Sequence, residues 1–447
     1  MHDAALAQGL RRARFEGKVI DPAHGEYDKA RRVWNGLVDR RPVAIIRPAG
    51  ITDVQQAVRL AAEAQAPLAI RCGGHSFPGH STCDAGIVLD LSAMRGVTVD
   101  RAALTAEVAG GALLGDLDKA SAALGLVTPA GVVSHTGVAG LTLGGGMGWL
   151  SRRLGLTIDS LLGADIVTAD GRLVRTSTEL EPDLFWGIRG GGGNFGVVTS
   201  FRFRTHLLGP VAVGQWAYAA GGAAGVLSGY RDLVAGAPRE LTTAFTITRS
   251  EIVISALWSG APDHAEKILA RFATLGRPVS VSLGGMTFLE LQQRSDDHFS
   301  WGRRYYAKGG YLDEIHEGAI GAMTESIAIA PTPHSEIYVL QLGGAISDVA
   351  EEATPYTGRG AGHYWIVEPV WDSAADDERC IAWGRRSAAK LAAMSLAGNY
   401  INEQSEIGKE MTHGAYGPEK YDRLARLKHR YDPFNLFRLN QNIEARG

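Results

Sequence analysis

Glycine constrains this chain more than any other residue. Of 447 residues 57 are glycine, and 14 of them lie in three clusters within the first 200 positions: RCGGHS at 71–76, GVAGLTLGGGMGWL at 137–150 and FWGIRGGGGNFGVVT at 185–199. A residue without Cβ lets successive amides converge on one anion and lets backbone lie against a flat ring with no side chain between them. Turns and bulges use glycine as well, so one such loop would carry little weight. Three in one region point to a ligand that has both a pyrophosphate and a flat ring, as a flavin nucleotide does. The cluster nearest to a dinucleotide fingerprint, LGGGMG, follows no parallel-strand unit of the right length and has no acidic ribose partner at the expected distance, so a nicotinamide cofactor is not expected.

The chain is longer than one hydrophobic core usually organises, which predicts two domains sharing a cleft. TDVQQAVRLAAEAQA has helical apolar spacing at Val54, Ala57, Val58 and Ala61 behind a Thr52/Asp53 cap, and leads into the strand PLAIR and the first glycine loop. ADIVTADGRLVRTS reads as a hairpin turning at Asp170-Gly171. From about Leu207 long strand-like runs alternate with helices, the pattern of an antiparallel sheet with helices on one side. The tail YDRLARLKHRYDPFNLFRLNQNI reads as a basic amphipathic helix stopped at Asp432-Pro433, followed by an extended end. The expected fold is α+β, with residues 1–206 and 396–447 forming one domain and 207–395 the other.

A formal net charge of −3, with 45% hydrophobic and 21% charged residues, offers no field for nucleic acid or anionic membrane. No run approaches the roughly 20 apolar residues of a membrane span, and MHDAALAQGLRRARF lacks the apolar core of a secretory signal; a cytoplasmic protein is expected. Cys72, Cys83 and Cys380 are too few and too scattered for a disulfide framework or a zinc site, and are expected as reduced thiols.

RCGGHS, GIVLDLS, GVAGLTLGGGMGWLSRRLGL, PDLFWGIRGGGGNFGVVT and the terminal KYDRLARLKHRYDPFNLFRLNQNI, in this order, resemble the berberine bridge enzyme-like FAD-linked oxidases of the vanillyl-alcohol oxidase superfamily. The resemblance implies a PCMH-type FAD-binding domain beside a substrate domain. It implies that His75 is bonded through a ring nitrogen to the flavin 8α-methyl, and that Arg71, Gly73, Gly74 and Ser76 cradle the pyrophosphate. It extends the cofactor lining to Cys72, Gly79, Gly131, Gly137, Gly140, Leu141, Gly144, Gly145, Gly148, Trp149 and Val198. Many relatives carry a second, cysteine tether where this chain has Val133, so a single covalent link is expected. Thr136 aligns where relatives control oxygen access to the ring, and Tyr416, Asn440 and Gln441 match positions that approach it. Without the other motifs His75 would read as the cap of a turn. His135 reads equally as a polar group near the ring or as a solvated loop histidine, and His80 as a surface or supporting residue. Tyr416 reads equally as a core aromatic.

Oxidation by a flavin takes a hydride from the substrate and often needs a base for the departing proton. In HYWIVEPVWD strand alternation puts Tyr364, Ile366, Glu368 and Val370 on one face, and an acid in an apolar row is costly to bury unless used or paired. Glu368 also stands three residues before Trp371, as the catalytic glutamate of berberine bridge enzyme stands before its tryptophan. The competing reading is an edge-strand charge facing water. In GNYINEQSEIG, Tyr400 and Asn402 match the family's Tyr-x-Asn strand. Glu403 falls where plant relatives place a tyrosine base: it replaces that base, binds a cationic amine, or is a paired structural acid. The expected activity is oxidation of a small alcohol, phenol or amine, with hydride passed to covalently held FAD and electrons to molecular oxygen as hydrogen peroxide. A dehydrogenase using another acceptor, an oxidative cyclase and a non-catalytic flavin-binding module are the alternatives. The expected partners are the small-molecule substrate and oxygen, with no nucleic acid and no membrane, in a monomer or homodimer.

Overall fold

The computed structural model describes residues 2–446. The first sheet contains β1 (Lys18–Ile20), β2 (Ala44–Arg47), β3 (Leu68–Arg71) and β4 (Ile87–Asp90) in the order β1-β2-β4-β3, with β2 and β3 both parallel to β4. Two parallel neighbours require a crossover, and the helix Ile51–Ala64 supplies it by burying Val54, Ala57, Val58 and Ala61. The helix begins at Ile51 with Gly50 as its N-cap, two residues before the expected Thr52. Asp53 instead accepts the amide of Ala49 at 2.9 Å and those of Glu16 and Gly17, pinning the N-terminal segment to the helix start. Because the chain leaves β3 at Arg71, the first glycine loop emerges from the carboxyl edge of this sheet.

A second, antiparallel sheet orders β5 (Val97–Asp100), β6 (Thr105–Ala109), β10 (Val197–Arg204), β8 (Leu161–Val167) and β9 (Leu173–Ser177) as β5-β6-β10-β8-β9, while β7 (Leu126–Val127) pairs with β11 (His206–Leu207). The β8–β9 hairpin is the one expected, with Gly171 at φ +74° in its turn.

The third sheet has seven antiparallel strands: β12 (Val211–Ala219), β13 (Leu241–Ile247), β14 (Glu251–Trp258), β15 (Ser280–Met286), β17 (Lys308–Leu312), β18 (Glu336–Gln341) and β19 (His363–Glu368), in the order β15-β12-β14-β13-β18-β19-β17. β16 (Arg304–Tyr305) pairs with β20 (Val370–Trp371) across the break at Pro369. Helices Ala223–Val234, Glu317–Ala328 and Asp377–Ala392 cover one face through a core that includes Trp216, Phe245, Met323, Trp365 and Trp383. The opposite face carries Ala244, Leu340, Tyr364 and Ile366, which pack against Met147, Tyr356 and Tyr400 from the glycine-rich half and the C-terminal segment. Alternation along β19 therefore sends Trp365 and Val367 under the helices, and Tyr364, Ile366 and Glu368 toward the other half of the molecule.

The tail helix is longer than its sequence pattern indicated, running Lys409–Tyr431 with a kink at Gly417-Pro418. It ends at a fully buried Lys428–Asp432 ion pair, and Lys428 Nζ also donates to the carbonyls of Asn194 and Phe437. These bonds tie the extended end to the third glycine cluster.

Candidate active site

One cavity of about 640 Å³ lies between the seven-stranded sheet and the glycine-rich half. All three glycine clusters reach it: Cys72 to Ser76 from the first, Gly137, Gly140 and Leu141 from the second, Gly192, Gly193 and Gly196 from the third. The first two clusters touch. A Cβ on Gly73 would lie 2.2 Å from the Gly137 amide nitrogen, and one on Gly137 would lie 2.4 Å from that of Gly73, so neither position admits a side chain without parting the loops. Gly140 and Gly193 differ: a Cβ there meets nothing within 4 Å and would project into open space.

His75 stands at the centre of this end. Its ring stacks on Trp34 with centroids 4.7 Å apart, and Trp34 stacks in turn on Tyr305 at 3.9 Å. His75 Nε2 lies 2.5 Å from Nδ1 of His135, whose Nε2 is 3.4 Å from the Asp296 carbonyl. Burial, with His135 adding to it, pushes His75 down to about 3, so the imidazole is neutral and keeps a lone pair at ordinary pH. His135 is half-buried against the central histidine. Val133 and Thr136 line the cavity on either side of it.

The opposite wall is built from the sheet and the segment after residue 399. Glu368 lines the cavity, is only 3% exposed, and its Oε1 has no hydrogen-bond partner. β19 lies between β18 and β17, so the reading of Glu368 as an edge charge facing water fails. Burial first, then the like charges of Glu336 and Glu403, raise its pKa well above the carboxylate range. Burial pushes Glu403 up to about 7, with the Tyr364 hydroxyl pulling the other way. The Tyr400 hydroxyl accepts from the Gly146 amide at 3.2 Å and from Asn402 Nδ2 at 2.9 Å, and the same Asn402 nitrogen donates to the Leu141 carbonyl. Asn402 thus bolts the acidic wall to the second glycine cluster. Burial raises the phenol pKa of Tyr400, which stays protonated.

Cys72, Gly73, Gly74, His75, Ser76, Gly131, Thr136, Gly137, Gly140, Leu141, Trp149, Val198, Asn440 and Gln441 line this cavity together with Glu368, Tyr400 and Glu403. Six residues expected at the cofactor are placed elsewhere. Arg71 is turned away into a buried pair with Asp90 at 2.7 Å. Burial works against the Asp90 charge, but Arg71 and then Arg47 outweigh it and hold the carboxyl below its usual range. Gly79 packs on Val38, Gly144 on Asn402, Gly145 on Tyr356 and Gly148 on the Ala130 carbonyl; they shape the loops behind the lining. Tyr416 is buried and its hydroxyl donates to the Gly190 carbonyl, bracing the third cluster from below. Cys72 donates to the Ala112 carbonyl and burial pushes its thiol up to about 11, so it is unreactive. Sequence reading missed Trp34, His298, Glu336 and Tyr338, which also line the cavity. For Glu336 and Tyr338 the signal was present, since SEIYVLQL places an acid in an alternating row just as HYWIVEPV does.

The lining fits a flavin nucleotide. The Asn440 and Gln441 amides each donate to a backbone carbonyl, to Phe437 and Glu406 respectively, while Asn440 Oδ1 and Gln441 Oε1 are buried at the cavity with no partner. Such acceptors suit the polar edge of a flat heterocycle. Residues 42–177 match the FAD binding domain family and residues 399–444 the berberine and berberine-like family. An FAD-linked oxidoreductase of Dictyostelium discoideum is 33% identical over 96% of this chain and 95% of its own length. The chain belongs to the berberine-like FAD-linked oxidoreductases. The (R)-6-hydroxynicotine oxidase of Paenarthrobacter nicotinovorans is 32% identical over 97% of this chain and 98% of its own. The crystal structure of 6-hydroxy-D-nicotine oxidase from Arthrobacter nicotinovorans superposes with a TM-score of 0.90 at 30% identity, covering 96% of this chain and 98% of that one. The fold is accordingly the two-domain α+β architecture of PCMH-type flavoproteins, FAD is the cofactor, and the protein is an oxidoreductase. Among the described residues of this family member no helix is long and apolar enough to cross a membrane, and no cluster of His, Cys, Asp or Glu is arranged to hold a metal.

Proposed function

We propose that the protein is an FAD-dependent oxidase of a small organic alcohol, phenol or amine, with residues 1–206 and 396–447 holding the cofactor and 207–395 supplying the substrate face. One observation carries the reading: a single cavity brings the neutral His75 to one side and the buried acids Glu368 and Glu403 to the other. When bound, FAD supplies the two-electron acceptor. The chain's own part is to hold the ring, exclude water and accept a proton. His75, stacked on Trp34, is the point of the single covalent attachment, since its neutral ring offers the required lone pair and Val133 cannot form a second link. Glu403, titrating near 7, is the group best matched to accept a proton at neutral pH. Burial and the neighbouring acids hold Glu368 well above the usual carboxylate range and favour its protonated form, and Tyr400 acts as a neutral hydroxyl fixed by Gly146 and Asn402. The small side chain of Thr136 leaves room for oxygen beside His135.

Acid denaturation tests the attachment. Intact mass of the precipitated chain should exceed the polypeptide by one FAD, and His75→Ala should release all its flavin to the supernatant; retention by that variant would sink the assignment. Fast reoxidation of photoreduced enzyme in air, with release of peroxide, would mark an oxidase, and slow reoxidation a dehydrogenase.

A further inference from the structure

β18 and β19 are paired so that Glu336 stands directly across from Glu368. Like charges at opposed positions of a ladder destabilise it, and both residues are buried, at 5% and 3% exposure. Glu336 has one compensating partner, His298, whose Nε2 is 3.3 Å from its carboxylate. That partner is half exposed, so it shields the outer side of the pair and leaves the inner side, Glu368 Oε1, facing the cavity without a partner. The remaining lining does not neutralise it. Glu251 and Glu403 add two further acids, and the lone guanidinium or ammonium among the described lining residues, Arg294, is turned onto Gln215 Oε1 at 2.5 Å. The groups acting on the pair are Glu403 on Glu368, His298 on Glu336, and the phenols of Tyr305 beside Glu368 and Tyr338 beside Glu336; Arg303, beside His298 and Tyr305, is paired with Asp372.

We propose that this end of the cavity binds an organic cation, a protonated amine in the natural substrate, with the positive nitrogen held against the Glu336–Glu368 pair. The inference rests on the oxidase reading above and narrows its substrate class. Two buried carboxyl groups on directly opposed residues of a ladder are stabilised by a proton or a cation that offsets their like charge. The carboxyl proton held by Glu368 in the empty cavity leaves to water as the cation enters, so one positive charge replaces another. Affinity for a cation of fixed charge therefore rises with pH, whereas affinity for a neutral molecule of the same shape does not.

Three probes decide it on the flavin-loaded enzyme: benzyltrimethylammonium, benzyl alcohol and benzoate, each titrated while the visible flavin spectrum is followed without air. The cation should bind best, and its Kd should fall as pH rises, by at most about tenfold per pH unit, with proton release measured by calorimetry in two buffers. Glu336→Gln and Glu368→Gln should each weaken it by about tenfold or more, and weaken benzyl alcohol much less. The pH slope is read on the unaltered chain, so poor folding of a variant cannot obscure the result. Benzyl alcohol or benzoate binding as tightly as the cation, a flat pH dependence, or binding by none of the three would overturn the inference. The oxidase reading stands or falls separately, on how fast photoreduced enzyme is reoxidised in air, which involves no ligand in this subsite.

Discussion

The two walls of the cavity are made differently. The wall at the glycine clusters is backbone and rings: Gly73 against Gly137, His75 between Trp34 and His135, and the amide oxygens of Asn440 and Gln441. The opposite wall, where substrate is proposed to lie, consists of side chains on adjoining strands and one returning segment: Glu336, Tyr338, Ile366, Glu368, Tyr400 and Glu403. Backbone built without Cβ atoms fits one ligand shape and tolerates almost no substitution at its contact points, whereas side chains on a finished sheet can be exchanged without altering its hydrogen bonds. A wall of fixed backbone and a wall of exchangeable side chains thus coexist in one cleft, and Glu336, Glu368 and Glu403 all lie on the second.

If that division is correct, changes to the side-chain wall alter chemistry and changes to the backbone wall alter assembly. The largest effect is expected for Glu403→Gln. Flavin content should be normal, while reduction of the flavin by substrate in stopped flow slows by about 10²–10⁴-fold. In the unaltered enzyme the same rate should fall as pH drops below about 7, because Glu403 accepts a proton only when ionised and its pKa is raised to about 7; the variant should lose this limb. An unchanged rate and limb would remove Glu403 from proton transfer. Next comes Arg71→Ala, which strips the buried Asp90 of one of its two arginines. Stability measured by denaturant unfolding should drop by about 3–5 kcal/mol, yet folded protein should keep acid-stable flavin, since Arg71 does not line the cavity. Selective loss of flavin without loss of stability would restore Arg71 to the pyrophosphate. The smallest effect is expected for Gly73→Ala, where the new methyl forces the loop apart from Gly137; a loss of about 1–3 kcal/mol, with slower flavin incorporation, should appear in thermal unfolding. Normal stability there would show that the two loops yield easily.

Much of the fold was readable along the chain. The helix behind Asp53, the strand before RCGGHS, the hairpin at Asp170-Gly171 and the tail helix stopping at Asp432 all declare themselves through local periodicity, caps and turns. Glu368 was readable as an acid on the face opposite Trp365. Arg71, Gly144, Gly145, Gly148 and Tyr416 show the limit of such reading: motif membership located them near the ligand, and packing then assigned them to bracing the loops that touch it. Glu336 shows the converse, since its alternation pattern matched that of Glu368 but nothing local identified the two as cross-strand partners.

The sequence by itself determined that backbone would have to approach something closely at three places, because the absence of a Cβ is a property of the residue. It also determined the parity of each strand, and so which side chains could share a face. Tertiary structure alone decided that the three loops meet, that Lys428 and Asp432 bring Asn440 and Gln441 back to the same cavity, and that Glu336, Glu368 and Glu403 converge there. Those juxtapositions depend on strand register and on contacts between residues hundreds of positions apart, and the electrostatic properties that make the acids useful arise only when they are buried together.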